Sequence, residues 1–263
     1  PLVASMYPRE KTKMLNRFHL WWPAGIVIGS LVGLILMDIM NLNWQLMVAS
    51  LFVPLALYGY LLIGQTFPQT ERVTLGVNKK DALKSLTKPL FLFIAFCMLL
   101  SASTELGTTQ RIESLLRETG VNALLILAFI NGIMIFGRAF AGPIATKINT
   151  TGMLFASSIF AFIGLQMLAN TEVFNVFLAA SVFAIGITFF WPTTLAYISE
   201  NIPESGALGM SIIGGLGMLS VSLILPLMGR FLDDSISTDV IQTISALPFI
   251  LIILYGILYL KQR

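Results

Sequence analysis

Charged residues are scarce in this sequence. They make up 11% of its 263 residues, whereas a soluble domain carries about 25%. Hydrophobic residues make up 56%, which is more than a water-exposed surface readily accommodates. The composition therefore excludes an ordinary soluble protein and predicts a chain that is surrounded mainly by lipid.

The residue types that build common catalytic and metal sites are also few. The sequence contains one histidine, His19, one cysteine, Cys97, and no GxSxG, HExxH, CxxC or Walker pattern. A single cysteine excludes an intrachain disulfide, and a histidine-based metal site would need several acids that the apolar segments lack. We therefore expect no catalytic residues, no metal and no cofactor, which makes a membrane-embedded enzyme a disfavoured alternative.

Long apolar runs dominate the chain. A helix needs about 20 mostly apolar residues to cross a bilayer, whereas strands of outer-membrane barrels alternate and are about half as long. Eight runs have the length of a helix, at approximately 18–37, 44–64, 90–110, 122–141, 152–169, 173–198, 207–228 and 240–260. We therefore predict an all-α membrane protein with eight transmembrane helices. Its one long connection, the polar and basic segment 65–88, divides these helices into two followed by six.

The distribution of basic residues predicts the orientation in the membrane. If the N-terminal segment is cytoplasmic, 13 of the 16 Lys and Arg residues fall on the cytoplasmic side, as the positive-inside rule requires. The loop SENIPESG, residues 199–206, is an exception, with two acids and no base. Both ends of the chain are then cytoplasmic, in a plasma (inner) membrane. The basic residues form no dense patch, so we expect no nucleic-acid partner.

Small residues repeat at a spacing of four in two of the apolar runs. This spacing lets helix backbones approach closely in lipid. Gly25, Gly29 and Gly33 form one such ridge in the first run. A second ridge lies in the seventh run and consists of Ala207, Ser211 and Gly215, with Gly214 and Gly217 beside it. Both ridges are expected to pack against neighbouring helices.

Polar residues within apolar runs are costly and therefore suggest function. In the first run, Asn16, His19, Pro23 and Ser30 fall on one side of a helix, beside the glycine ridge. This side could face a cavity, with His19 carrying a proton or donating to a polar solute. In the alternative, His19 lies in the inner headgroup layer, where Trp21 and Trp22 anchor the helix.

The third run, in segment 96–116, becomes polar after residue 100 and contains Glu105 and Gln110. Transporters place binding sites in interrupted segments of this kind, because unwound backbone offers free donors and acceptors. Glu105 would lie about 22 Å into the helix, where a carboxyl group is a candidate proton carrier. In the alternative, the helix has already reached the outer interface and Glu105 is solvated.

Two further groups stand out in the fourth and sixth runs. Asn131 and Arg138 are seven residues apart and share one helix face, Asn131 near the midplane and Arg138 as an inner gate or a helix-end anchor. Asn131 could instead bond to another helix. Pro192 should bend the sixth helix, which places Trp191 and Thr193 at the bend. Trp191 could stack on a sugar ring, or it could simply pack in the core.

With these motifs, the chain resembles the major facilitator superfamily. Its members usually have twelve spans in two bundles joined by a long basic loop. The resemblance implies that 1–64 is the end of an N-terminal bundle, 65–88 the inter-bundle loop and 89–263 a complete C-terminal six-helix bundle. The first residue is proline, so we expect the chain to be an N-terminally truncated fragment holding spans five to twelve.

The finer resemblance is to the fucose-permease-like sugar–proton symporters. NRFHLWWPAGIVIG is similar to their fifth-span pattern N-x-x-Q-x-F-x-x-x-G-x-x-x-G, with His19 in place of glutamine and Trp21 in the aromatic position. Glu105 matches a glutamate that is common in their seventh span. FGRAFAGPIATKIN resembles the inner-loop gating motif of the superfamily, because it keeps Gly137, Arg138 and Lys147, but it lacks the aspartate.

This resemblance implies a secondary active transporter that works by alternating access, most readily as a proton-coupled sugar symporter. The expected partners are a small-molecule solute, protons and the lipid bilayer, and the expected state is a monomer. The expected solute-binding residues are Asn16, His19, Trp22, Gln110, Asn131, Trp191 and Thr193, with Glu105 and His19 for proton coupling and Arg138 and Lys147 for gating. A drug or lipophilic-compound exporter of the same superfamily and a receptor without transport activity are the alternatives.

Overall fold

Helices account for all the regular structure in the part of the chain that the computed structural model describes, residues 1–74, 76–116, 119–121, 123–171, 174–234 and 237–262. In these residues, seven helices are long and apolar enough to cross a membrane, and one apolar helix is shorter. They are α1 (Lys11–Met37), α2 (Trp44–Leu62), α3 (Pro89–Gln110), α4 (Ala123–Ala139), α5 (Ala141–Leu168), α6 (Val176–Asn201), α7 (Pro203–Asp233) and α8 (Thr238–Lys261). The predicted fold class, an all-α membrane bundle, is confirmed.

Most helix bounds agree with the predicted runs, but three helices differ by four residues or more; α7 begins four residues earlier and ends five residues later than predicted. α1 begins seven residues before the predicted start because its polar first turn is buried against α6, where the Lys11 ammonium donates to the carbonyl of Ser199. α5 begins at Ala141, and a kink at the non-helical residue Asn149, with φ of 55° and ψ of 177°, divides it into two helical parts. The predicted bounds 122, 173 and 263 lie outside the described residues.

Several helices are interrupted along their length. α1 consists of Lys11–His19 and Trp21–Gly33 followed by a π-helical turn at Leu34–Ile39, and α2 of Trp44–Ala49 and Phe52–Leu62. α3 consists of Pro89–Ala102, a π-helical segment at Ser103–Gly107 and Thr108–Gln110, and α6 of Val176–Ile187 and Phe190–Asn201. α7 begins with a 3-10 turn at Pro203–Ser205 and continues as an α-helix from Gly206, and α8 is a single α-helical segment. Short helices lie at Leu2–Met6, Glu71–Thr74, Lys79–Ser85 and Ile112–Leu115.

The bundle is organised around α5 and α6. α5 packs against α6 and α8, and α3 packs against α6, α7 and α8. α1 lies against α4, α5 and α6. α2 contacts mainly the π-helical turn of α1, and its side chains are largely exposed. α1 is therefore the part of the first two helices that completes the interior of the bundle.

A close contact between two helix backbones is made by glycines outside the predicted ridges. A Cβ atom on Gly164 would lie 2.3 Å from the backbone nitrogen of Phe183, and one on Gly186 would lie 2.2 Å from the backbone nitrogen of Ala161. The backbones of α5 and α6 therefore touch at this crossing, as small residues allow in lipid.

Most glycines of the predicted ridges do not pack against another helix within the described residues. A Cβ atom on Gly25 or Gly29 would meet nothing within 4 Å, and the same is true of Gly214 and Gly215. Gly33 meets only the side chain of Met47, whereas Gly217 packs under the ring of Trp191. Spacing identified small residues, but the packed face of each helix is set by its neighbours.

We expect Gly164→Ala to destabilise the protein by about 1–3 kcal/mol, the usual cost of overpacking. The neighbouring atoms are backbone, so α5 and α6 must separate to admit the methyl group. The measurement is the thermal unfolding midpoint of the purified protein in detergent. Gly25→Ala is the matched control, and its midpoint should not fall. Equal midpoints for both variants would refute the close backbone contact.

Candidate functional site

Arg138 is the centre of a buried hydrogen-bond cluster. Its side chain comes from α4 and is 1% exposed. Nη2 donates to Oε1 of Glu105 at 3.0 Å, Nε donates to the carbonyl of Thr188 at 2.8 Å, and Nη1 donates to the carbonyl of His19 at 3.0 Å. Glu105 is also buried, at 3% exposed. One guanidinium group therefore connects α1, α3, α4 and α6.

The two backbone carbonyls that Arg138 binds share a feature of sequence. His19 and Thr188 each lie four residues before a proline, Pro23 and Pro192. In an α-helix the N–H of the fourth following residue donates to the carbonyl, and proline has no N–H. Each carbonyl therefore lacks its normal helical donor, and the Arg138 guanidinium supplies one.

Glu105 is positioned by the π-helical segment Ser103–Gly107 of α3. A π turn inserts one extra residue into the helix and often marks a functional site. The hydroxyl of Thr109 donates to the backbone carbonyl of Glu105 at 2.8 Å. The expected unwinding of this segment is therefore wrong, since the chain stays helical through Gln110 and widens locally instead.

A close approach between α4 and α6 brings Arg138 to its partners. A Cβ atom on Gly137 would lie 2.7 Å from Cγ2 of Thr188. Because glycine has no side chain, α4 can lie directly against the interrupted part of α6. The next residue, Arg138, then reaches the free carbonyl of Thr188.

The Glu105–Arg138 pair forms part of the wall of a cavity with a volume of about 430 Å³. Apart from His19, Glu105 and Arg138, its lining is apolar and mostly aromatic. These apolar lining residues are Phe18, Trp21, Trp22, Leu106, Trp191 and Met218. We call this space the aromatic lobe.

A second space of about 390 Å³ shares Trp22, Glu105 and Leu106 with the aromatic lobe. It extends along α3 and reaches Ile112 in the short helix that follows, and its polar lining includes Glu105, Thr109, Gln110 and Asn131. We call this space the polar lobe. A carboxylate, a hydroxyl and two amides beside a tryptophan can bind the hydroxyl groups and the apolar face of a small polar ring.

His19 lines the aromatic lobe and is half-buried. Its Nδ1 lies 2.8 Å from the carbonyl of Leu15. Since a carbonyl can only accept, this contact assigns a proton to Nδ1. Nε2 is then the ring nitrogen left for a solute, as an acceptor in the neutral form or as a donor in the charged form.

The structure separates the predicted solute-binding residues into two groups. His19, Trp22, Gln110, Asn131 and Trp191 line the two lobes. Asn131 also donates to the carbonyl of Leu127, in its own helix, at 2.7 Å.

Asn16 and Thr193 do not line either lobe. Both are fully buried, and Nδ2 of Asn16 donates to Oγ1 of Thr193 at 3.2 Å. Asn16 lies one turn before His19, where α1 and α6 are already in direct contact. The two side chains therefore link these helices, and in this structure neither faces the lobes into which a solute could bind.

The two predicted gating residues, Arg138 and Lys147, also lie in different surroundings. Arg138 lies in the last turn of α4 but is buried inside the bundle, where Glu105 and the two carbonyls satisfy its charge and its donors. Lys147 is exposed, on the short helical stretch 141–148. The two residues therefore do not form one site.

A polar network that the sequence reasoning missed joins α1, α5 and α6 at the end of the bundle where α1 begins. The backbone N–H and the hydroxyl of Thr12 both donate to Oε1 of Glu200, at 3.2 and 2.7 Å. The hydroxyl of Thr150 donates to Oε2 at 3.0 Å. We call Lys11, Thr12, Thr150, Ser199 and Glu200 the terminal network.

One feature of the sequence could have predicted the terminal network: the acidic loop at 199–206, which is an exception to the positive-inside rule. Glu200 binds Thr12 and Thr150, and Glu204 forms an ion pair with Lys88. Both acids thus have partners at the same end of the bundle, which explains why they lie among the basic residues.

Comparison with known protein families shows to which family this chain belongs. The family model of the Major Facilitator Superfamily matches residues 1–174, which contain α1–α5. The chain belongs to the major facilitator superfamily. Membership makes it an integral multi-pass membrane protein and a secondary transporter that carries a small solute. Neither the curated proteins nor the solved structures gave a significant match.

Proposed function

We propose that this superfamily member is a proton-coupled symporter of a sugar or a similar small polar solute, working by alternating access. One observation carries the proposal: the buried Glu105 carboxylate lies in the wall shared by both lobes and is paired with Arg138. A carboxyl group in that place contacts the solute space and can exchange a proton for an ion pair. Protonation and solute binding would therefore act on the same group.

The polar lobe is the proposed solute site. Trp22 offers a ring on which a sugar can stack, while Thr109, Gln110 and Asn131 supply hydrogen-bonding groups. Nε2 of His19 adds a further group from the adjoining lobe. Glu105 and His19, two of the residues that carry the resemblance to the fucose-permease-like symporters, both line the lobes, and this supports that finer assignment.

The proposed arrangement is that of a twelve-span transporter. Residues 1–64 belong to the N-terminal bundle, 65–88 form the inter-bundle loop and 89–263 form the C-terminal bundle. With both ends cytoplasmic, in the plasma (inner) membrane, the terminal network closes the cytoplasmic side. The cavity, which extends towards Ile112, is then reached from outside. Lys147 lies on the cytoplasmic side, and the protein works as a monomer.

A second candidate function is export of a lipophilic compound by proton antiport. The aromatic lobe favours it, because four aromatic side chains around about 430 Å³ can hold an apolar solute. The deciding assay is transport in proteoliposomes under a pH gradient, with a panel of labelled hexoses and pentoses compared with a panel of lipophilic dyes. Uptake of a sugar with the proton supports symport, whereas dye movement against the proton favours export.

His19→Ala is expected to reduce sugar uptake about 5- to 150-fold, which corresponds to the loss of one hydrogen bond to a polar solute. The effect should appear as a higher KM, with a normal yield of folded protein. Asn16→Ala is the contrasting variant, because Asn16 links α1 to α6 and should lower the melting temperature without changing KM. Unchanged KM in His19→Ala would remove His19 from the solute site.

A further inference from the structure

The guanidinium of Arg138 binds two carbonyls that prolines leave without a helical donor. Prolines account for 11 of 263 residues, so a proline four residues after both acceptors is not expected by chance. The acceptors also come from separate helices, α1 and α6, and lie 119 and 50 residues from Arg138 in sequence. The shared pattern therefore indicates a common purpose for Pro23 and Pro192.

A helical carbonyl normally points along the helix axis towards the N–H of the next turn. Alanine at position 23 or 192 would supply that N–H. The carbonyl of His19 or Thr188 would then be held within its own helix instead of reaching sideways to Arg138. Each proline thus leaves one acceptor free in the interior of the bundle.

These two acceptors fix the plane of the guanidinium. Its donors form a rigid planar fork, so anchoring Nε on Thr188 and Nη1 on His19 determines where Nη2 points. Nη2 points at Oε1 of Glu105, 3.0 Å away. The position of the Arg138 guanidinium opposite the Glu105 carboxylate is therefore set by α1 and α6. It is not set by α3, the helix that carries Glu105.

We propose that Pro23 and Pro192 are positioning residues for proton coupling: they free the two carbonyls that hold Arg138 against Glu105. This rests on the proposed role of Glu105 as proton carrier. A fixed cation stabilises the deprotonated carboxylate and so allows the proton to leave. Among the described residues that line the two lobes, the other ionisable group besides this pair is His19, from α1.

The arrangement also determines which helix responds to protonation. When Glu105 gains a proton, the charge attraction between α3 and Arg138 is lost. Arg138 keeps its bonds to α1 and α6, because these do not involve Glu105. Protonation therefore loosens α3, at its π-helical segment, from a unit of α1, α4 and α6 that stays connected.

The first test compares Pro23→Ala and Pro192→Ala with two matched controls, Pro226→Ala and Pro248→Ala. The control prolines also lie inside helices. The carbonyls four residues before them belong to Ser222 and Ile244, which are not among the partners of Arg138. The measurements are sugar accumulation driven by a pH gradient and sugar counterflow at equal pH, both in proteoliposomes.

Pro23→Ala and Pro192→Ala should each reduce accumulation about tenfold or more, as expected for a lost charge-assisted hydrogen bond. Counterflow should be largely retained, since exchange needs no proton release. The controls should retain both activities. If counterflow falls together with accumulation, or if the controls lose accumulation equally, the positioning role is refuted.

The second test measures melting temperature and does not depend on transport. Pro23→Ala is introduced into the wild type and into the Glu105→Gln/Arg138→Met background, where position 138 carries no guanidinium group. The proline substitution should lower the melting temperature in the wild type and have a much smaller effect in the second background. Equal effects in both backgrounds would refute the link between proline and arginine. A third outcome separates the two proposals. If the proline effect on melting temperature depends on the background but Glu105→Gln accumulates sugar normally, the link between proline and arginine holds and Glu105 is not the proton carrier.

Discussion

Glu105→Gln is expected to abolish uphill accumulation of the solute while counterflow persists. Glutamine fixes the neutral form of the side chain, so the cycle of proton uptake and release stops. It keeps an oxygen that can accept from Arg138, and Arg138 also keeps its two carbonyl acceptors. The site therefore retains its shape, and exchange of bound solute across the membrane can continue.

The measurement uses one preparation of proteoliposomes for two assays. Accumulation is driven by an imposed pH gradient, and counterflow is followed at equal pH with solute loaded inside. Glu10→Gln is the control, because Glu10 is an exposed acid paired with Lys13 outside the cavity. Accumulation by Glu105→Gln at the wild-type level would exclude Glu105 as the carrier.

Arg138→Met is expected to destabilise the protein by about 3–5 kcal/mol, the usual cost of removing one partner of a buried ion pair. The substitution leaves the Glu105 carboxylate without its charge partner. It also removes the donors to the carbonyls of Thr188 and His19. Buried polar groups that lose their hydrogen-bond partners inside a membrane bundle are costly.

The double variant Glu105→Gln/Arg138→Met separates the charge from the carbonyl bonds. It has no buried charge at this site, so it should recover much of the stability that Arg138→Met loses. Arg138→Lys should be intermediate, because an ammonium group cannot present the planar fork that three acceptors require. The measurement is the melting temperature of detergent-purified protein. If the double variant is as unstable as Arg138→Met, loss of the ion pair is not the main cause of the instability.

Local features of the sequence determined the fold class. The length of each apolar run predicted its helix, and the polar segment 65–88 predicted the long connection. The cost of a polar group in lipid identified Glu105, Arg138 and His19 as residues that need partners. These predictions succeed because hydropathy and helix length are properties of short windows of sequence.

The tertiary structure decided which partners meet. Helical spacing identified the glycines of α1, but the close crossing is made by Gly164 and Gly186. Asn16 and His19 share a side of one helix, yet only His19 lines the cavity, because α6 covers Asn16. The residues that share one side of a helix can be deduced from the sequence of that helix. The helix that packs against that side cannot.

The cluster around Arg138 shows the same division most clearly. From the sequence alone, Pro23 and Pro192 each remove one helical donor and leave one carbonyl free. Nothing local indicates that an arginine 119 residues from the first carbonyl and 50 from the second would supply both donors. Backbone hydrogen bonding within a helix depends on residues four apart and is therefore readable in sequence. The replacement for a missing bond depends on how helices pack, and only the folded bundle determines that.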